Sequence, residues 1–481
     1  MGVISISRAI TLHATERPDA PALTCGDTTL TWREFDLRTN RLARAYAGLG
    51  VVKDDLVTIA LPNSTAFMEA AIAIWKLGAT PQPVSARLPG LEFQEIVELA
   101  NSRLVVGAAA EQFPGRATVP VGFEPDPALS DDILPDVTAT HLKAPTSGGS
   151  TGRPKRILAQ VPGELDTEQP PFNVPVRSTT VIPGVLYHNA PFSTSAFALA
   201  AGNHLINFPR FVPEQVLDAV ERYRATFLYL VPTMMGRIWK LPEEVRAKAD
   251  LSSLDIALHM AAPCPPWLKE AWIDWLGPEV VCELYAGTEV QAVTWITGTE
   301  WLTHRGSVGR PMIGEMKIVG EDGEDLPPGE IGEIYMRAEG GLNSTYRYVG
   351  GESKRLPGTE WESLGDMGSM DAEGYIYLAD RRKDLILRGG ANVYPAEVEA
   401  ALEEHSSVRT CVVVGLSDED LGQRVHAVID APCGVTEPNL RAHMADRLVS
   451  YKCPDSYSFV DEPVRDDAGK VRRTLLAQRQ A

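Results

Sequence analysis

Over roughly the first 300 positions the apolar residues form two alternating patterns, short continuous runs of strand length and longer stretches in which they return at helical spacing. The spacing predicts an entry helix over 5–18, a strand closing at Thr29-Leu30-Thr31-Trp32, and an amphipathic helix from Arg33 to Leu49. A buried strand over 56–62 follows. Next comes a helix over 66–76, with Asn63 and Ser64 as its expected side-chain caps and Gly78 as its stop. Strands over 80–84 and 104–107 flank a helix over 89–100, which is the βαβ alternation of a parallel sheet. The alternation resumes with a helix over 213–223, a strand over 227–231, a helix to Trp239, a strand over 254–261 and another from Val280.

After about residue 300 the pattern turns into short alternating runs broken by Gly and Pro, as in Ser307-Val-Gly-Arg-Pro311 and 325–334, a β region. The dense charge run Asp380-Arg-Arg-Lys-Asp384 reads as an interdomain linker. Beyond it, strands near 385–393, 410–415 and 424–429 and helices starting at Pro395 and Asn439 predict a small separate unit. The expected division is therefore 1–381, a hinge at 382–384, and 385–481.

Candidate chemistry centres on Thr146-Ser-Gly-Gly-Ser-Thr-Gly-Arg-Pro-Lys155. Gly148, Gly149 and Gly152 let the backbone curl with its N–H groups inward, while Ser147, Ser150 and Thr151 add hydroxyl donors, so the stretch reads as a phosphate cradle. It is not a Walker A loop, because Arg153 and Pro154 separate the last glycine from Lys155. A plain Ser/Gly linker is the competing reading, and the Arg-Pro-Lys ending argues against it. The Asp- and Pro-rich segment 124–136 leads into this loop, which places it at an edge of the parallel sheet.

Composition narrows the function. The chain has 481 residues, of which 44% are hydrophobic and 23% charged, as in folded proteins of more than one domain. Net charge is −19, which disfavours nucleic acid and anionic membranes as partners and makes each cation near the loop informative. The N-terminus lacks the basic-then-apolar pattern of a secretory signal, so a cytoplasmic location is expected; its MGxxxS opening matches a myristoylation signal only superficially. Six scattered cysteines suggest neither a metal site nor a disulfide framework.

The loop is followed by His188, by Ala262-Pro263-Cys264-Pro265, by Tyr285-Ala286-Gly287-Thr288-Glu289, by Gly365-Asp366, by Arg381 and Lys383, and by Gly469-Lys470. In this order the segments resemble those of the adenylate-forming superfamily, which contains acyl-CoA synthetases, adenylation domains and luciferases. Gly148, Arg156, Met260 and Ala286 depart from its usual residues. The resemblance implies an α/β fold, with a large N-terminal domain of packed mixed sheets and helices plus a β region, and a small mobile α+β lid. It implies that Ser147, Gly148, Gly149, Ser150, Thr151, Gly152 and Lys155 hold the phosphates of ATP. Ala261, Ala262, Pro263, Tyr285, Ala286 and Gly287 would face adenine, and Asp366 and Arg381 the ribose or phosphate. Thr288 would contact phosphate or carboxylate, and Glu289 would hold Mg²⁺, a hard cation suited to oxygen. His188, Asn189, Ala190, Pro232 and Gly287 would line a roomy acyl pocket. Lys383 would be the pivot, Gly389 and Gly390 would let the arm of coenzyme A pass, and Lys470 would be the catalytic cation.

The implied reaction activates a carboxylic acid as acyl-AMP, releasing pyrophosphate, and passes the acyl group to a thiol. A single chain without a carrier domain favours coenzyme A over a carrier protein. The stretch 190–196 contains no aspartate, which argues against an amino acid substrate. The segments HMAAPCPPWLK and YHNAPF look most like bile-acid and steroid-type CoA ligases, so a bulky polycyclic or terpenoid acid is expected, with fatty and aryl acids as alternatives. A homodimer stays open. A nucleotide-binding pseudoenzyme is the alternative of a different class; it predicts loss of Lys470 or Glu289, and both are present.

Overall fold

The computed structural model describes residues 2–148, 154–418, 420–466, 469–471 and 473–480. Its centre is a nine-stranded sheet in the spatial order Arg310–Ile313, Val293–Thr297, Val281–Ala286, Ile256–His259, Phe227–Leu230, Thr179–Ile182, His204–Asn207, Pro21–Cys25, Thr28–Thr31. The six strands from Val281–Ala286 to Pro21–Cys25 run parallel, and the outer strands are antiparallel. The next strand in sequence after Thr179–Ile182 lies on one side of it and the one after that on the other, so the direction of winding reverses there. A second sheet of four parallel strands carries Thr80–Pro83, Leu56–Ile59, Leu104–Val106 and Ala117–Val119, as the βαβ pattern requires. Trp32, Phe35, Phe67, Trp75, Phe192 and Tyr229 are almost fully buried in one continuous core between the helices and sheets.

Local sequence explains several boundaries. Thr31 and Glu34 close a reciprocal capping box that starts the helix Trp32–Gly48. The helix Thr65–Lys76 starts without the expected side-chain cap. Asn63 instead donates to the carbonyls of Gly184 and Phe208 (3.0 Å each) and accepts from Leu186 N–H, tying two strand ends together. Tertiary partners on both faces outcompete the local cap. The strand expected to reach residue 261 ends at His259, because Ala261 has a left-handed backbone (φ 76°) that leaves the sheet.

The segments flanking the phosphate loop do not lie at an edge of a parallel sheet. Thr146–Gly148 and Pro154–Ala159 form an antiparallel hairpin, and Tyr346–Val349 pairs with its second strand. A five-stranded antiparallel sheet follows, containing Glu362–Met370 and Ile376–Arg381. From Ile386 onward the strands form their own sheet, packed on the helix Pro395–Glu403 around Val398, Leu402, Val413, Val425 and Ile429. Among the described residues no helix is long and apolar enough to cross a membrane.

Candidate active site

Four of the parallel strands end at one edge of the central sheet, and four candidate segments hang from those ends. His188 follows Thr179–Ile182, and Pro232 follows Phe227–Leu230. Ala261, Ala262 and Pro263 follow Ile256–His259, and Gly287, Thr288 and Glu289 follow Val281–Ala286. The reversal of winding at Thr179–Ile182 opens a crevice outside the carboxyl ends of the strands, where open α/β sheets take their ligands.

On one side of this crevice strand register pairs Asp366 with Arg381. Arg381 Nε donates to Asp366 Oδ1 (3.1 Å) and the Tyr285 hydroxyl donates to Oδ2 (2.8 Å). Burial, and then the Asp366 carboxylate, push the Tyr285 pKa well up, so the phenol stays a donor. Three candidates far apart in sequence thus form one hydrogen-bonded set. The exposed turn through Ala261 and Pro263 presents backbone toward the same edge, and the positive φ of Ala261 is the strained feature of that turn.

Gly149, Ser150, Thr151 and Gly152 lie outside the described residues, and Ser147 and Gly148 are described as strand backbone. Just after the loop, the Lys155 ammonium lies 3.7 Å from the centroid of the Tyr348 ring, and the Tyr348 hydroxyl donates to Glu289 Oε1. The strand after the phosphate loop is thereby connected to the candidate metal-binding carboxylate. One carboxylate suits Mg²⁺, which keeps several waters and takes phosphate oxygens; among the described residues no cluster of three His, Cys, Asp or Glu forms an all-protein cage. Gly287 does not leave room as expected. A Cβ there would meet Leu364 Cδ1 at 2.2 Å and Glu289 Oε2 at 2.9 Å, so this glycine permits close packing rather than a wide pocket.

The C-terminal unit carries the Lys470 turn against the N-terminal unit. Lys470 itself is exposed; partial desolvation lowers its pKa, while the charges of Asp466 and Glu289 raise it and that of Arg381 lowers it. Gly469 (φ 74°) backs onto Thr233, whose side chain lies 3.2 Å from where a Cβ would stand. Asp466 Oδ2 lies 3.9 Å from His188 Nε2. Burial and the nearby Lys470 lower the His188 pKa to about 3, so the ring is neutral at physiological pH. On the lid side, Glu399 receives both Arg465 and Arg473, and Arg465 also donates to Gly469 O (3.0 Å). This buried ionic cluster orients the Lys470 turn. Gly389 and Gly390 form the turn of the hairpin between Ile386–Arg388 and Ala391–Val393, with Gly389 N–H donating to Leu421 O (2.8 Å) inside the lid. Lys383 belongs to the short 3₁₀ turn Arg382–Asp384.

Lys240, at the end of the helix Pro232–Trp239, donates to the lid carbonyls of Val408 and, at 3.3 Å, Arg409. These bonds tie the C-terminal unit to the N-terminal one in the arrangement that seats the Lys470 turn near His188. We expect Lys240→Ala to slow the pyrophosphate-releasing step about 3- to 10-fold, the worth of roughly one net hydrogen bond, with less effect on thioester formation from supplied acyl-AMP. Rapid-quench measurement of both steps checks this, and equal slowing of both contradicts it.

Residues 10–346 match the AMP-binding enzyme family, and residues 397–470 match the AMP-binding enzyme C-terminal domain. The chain belongs to the AMP-binding enzyme family. This AMP-binding enzyme is similar to feruloyl-CoA synthase of Amycolatopsis sp, 32% identical over 484 residues with 96% of each chain covered. It is also similar to the methyl-dioxo-octahydroindenyl-propanoyl:CoA ligase of Rhodococcus jostii, 28% identical with 98% of each chain covered. Its architecture is that of o-succinylbenzoate CoA synthetase from Bacillus subtilis, solved with an acyl-adenylate intermediate, at a TM-score of 0.82 and 24% identity over 99% of this chain and 98% of that one. The AMP-binding enzyme is an AMP-forming acid–thiol ligase of the acyl-CoA synthetase kind, and ATP, Mg²⁺ and coenzyme A are its cofactors.

Sequence reasoning missed Tyr348, Asp466, Lys240 and the Glu399 cluster. Tyr346-Arg-Tyr348 alternates as a strand, and this was the one signal available for Tyr348. The others are ordinary surface residue types in sequence and gain meaning only from the docking of the lid.

Proposed function

We propose that this enzyme is an ATP-dependent acyl-CoA synthetase whose acid is bulky and polycyclic, terpenoid or steroid-like, with free coenzyme A as acceptor. The observation that supports the activation chemistry is the seating of the Lys470 turn on the N-terminal unit, with Gly469 against Thr233 and Asp466 Oδ2 3.9 Å from His188 Nε2. Attack of a carboxylate on the α-phosphorus brings two anions together, so catalysis is a matter of position and charge neutralisation. Lys470, the loop at 147–152 and Lys155 supply cationic and N–H groups to the phosphates. Glu289 holds Mg²⁺, which would add Lewis-acid polarisation. Thr288 contacts phosphate or carboxylate, Asp366 and Arg381 hold the ribose, and 261–263, Tyr285, Ala286 and Gly287 bound the adenine. His188, kept neutral, stands with Asn189, Ala190 and Pro232 beside the acid. In the second step the lid pivots at 382–384, withdrawing Lys470 and presenting Gly389 and Gly390 to the arm of coenzyme A.

The choice of acid is supported by the small residues at the start of the helix Asn189–Ala200, by the absence of an aspartate from 190–196, and by the bicyclic acid named for the Rhodococcus relative. The strongly negative chain, without a spanning helix among the described residues, is taken to work in the cytoplasm on small molecules, away from nucleic acid and membranes, as a monomer or homodimer. The test is pyrophosphate exchange over polycyclic, fatty, aryl and amino acids, repeated with coenzyme A to detect AMP and thioester. Polycyclic acids should give the highest kcat/KM. A clear preference for a straight-chain fatty acid overturns the choice of acid, and silence with every acid favours a nucleotide-binding pseudoenzyme.

A further inference from the structure

Three lysines of the N-terminal unit are almost completely buried, and two have carboxylates. Lys76 donates to Asp36 Oδ1 (2.7 Å) and Asn40 Oδ1 (2.6 Å), and Lys269 donates to Glu283 Oε2 (2.5 Å). Lys143, 7% exposed, has none among the described residues. Its one hydrogen bond among the described residues goes to the Ser193 hydroxyl (2.6 Å), which leaves two of the three ammonium donors unused. With no anion beside it among the described residues, burial pushes its pKa down to about 7. An unpaired buried ammonium is costly to keep, and such a cost is relieved when a ligand brings an acceptor.

The location of Lys143 makes the ligand specific. Its backbone is clamped three residues before Thr146, with Lys143 O accepting from Ala159 N–H (3.0 Å) and Ala144 N–H donating to Pro81 O (3.0 Å). Its side chain reaches the helix Asn189–Ala200, which begins immediately after His188. Ser193 is one turn beyond Asn189 on the same helix face, about 6 Å further along the axis. Asn189 Oδ1 and Thr194 Oγ1, both buried, have no hydrogen-bond partner among the described residues. On the reading that the acid pocket begins at Asn189 and runs along this helix, its inner end is polar and cationic, unlike the pocket of an enzyme for a plain hydrocarbon acid.

We propose that Lys143 is a specificity-determining residue, whose ammonium takes a keto or carboxylate oxygen carried by the acid at the end remote from the carboxylate that is adenylated. This rests on the reading that the chain activates a carboxylic acid whose pocket begins at Asn189, and it adds to that reading a required acceptor oxygen.

The test uses three ring acids that differ only at the far end, namely cyclohexanepropanoate, 3-(4-oxocyclohexyl)propanoate and 3-(4-carboxycyclohexyl)propanoate. Pyrophosphate release is measured with the full chain and with Lys143→Met. The unaltered enzyme should favour at least one oxygenated acid over the hydrocarbon acid by 10-fold or more in kcat/KM. Lys143→Met should erase that preference by raising KM for the oxygenated acid about 10- to 100-fold, the range for a hydrogen bond to a charged group, while KM for the hydrocarbon acid stays level or falls. If the variant does not fold, the order of the three acids with the unaltered chain decides. Equal use of all three acids, or a preference for the hydrocarbon acid, overturns the proposal, as does a Lys143→Met loss that falls equally on kcat for all three. Pyrophosphate from other acids but from neither oxygenated one overturns it too. Silence with every acid overturns the acid-activation reading itself, and this proposal with it.

Discussion

Lys470→Ala is expected to reduce acyl-adenylate formation about 100- to 1,000-fold, the loss seen when one preorganised charge-stabilising donor is removed from a transition state. Conversion of supplied acyl-AMP to the thioester should stay within about threefold of the parent rate. The asymmetry follows from where the lysine is held. Its turn is braced by Lys470 N–H donating to Asp466 Oδ1 (2.8 Å) and by the Arg465 bond to Gly469 O, and it meets the N-terminal unit at Thr233 and His188. In the proposed two-position scheme those contacts belong to the lid position used for adenylation. A lid that has pivoted away no longer uses the lysine, so the second step has little to lose. Single-turnover pyrophosphate release and thioester formation from synthetic acyl-AMP, measured separately, check this. Equal damage to both steps would refute the two-position scheme.

The second large effect is on stability. Lys269→Ala should cost about 3–5 kcal/mol, because it leaves the Glu283 carboxylate buried without its partner. The ammonium and carboxylate are 2.5 Å apart, both side chains are almost wholly buried, and the Trp301 ring faces the ammonium at 5.2 Å. Burial raises the Glu283 pKa even with Lys269 present, so removing the lysine drives the acid further toward protonation. His259, beside the pair, is held well below its usual pKa by burial and by Lys269 and offers no replacement charge. With unfolding entropy near 2.1 cal/mol/K per residue over roughly 380 residues, the loss corresponds to a Tm about 4–6 °C lower. Lys269→Met combined with Glu283→Leu should recover most of it, since an apolar pair of similar volume avoids the desolvation cost. Calorimetry of the two variants decides, and a single variant that melts within 1 °C of the parent refutes the stabilising role of the pair.

Much of the parallel architecture was legible because burial imposes it locally. A strand covered on both faces is a short apolar run, a crossover helix repeats its apolar residues at helical spacing, and both survive in one dimension between residues 56 and 106 and again between 213 and 286. The capping box at Thr31 and the glycine stop at Gly78 are equally local. Where a residue had a distant alternative, local reading failed, as when Asn63 bonded the ends of two other strands instead of capping its helix.

The candidate site divides in the same way. The resemblance of the motifs, in their order, to those of the adenylate-forming superfamily singled out His188, Tyr285, Glu289, Asp366, Arg381 and Lys470, side chains of the kind that anion binding and charge neutralisation need. The tertiary structure decided which of them touch: the register that pairs Asp366 with Arg381, the hydroxyl of Tyr348 on Glu289, and Leu364 filling the space that Gly287 was expected to leave open. It also decided what Lys143 is. In sequence it is one more lysine, and only the folded chain seals it from water with no anion beside it among the described residues. The cost of burying a charge depends on the groups packed around it in three dimensions, which no linear pattern records.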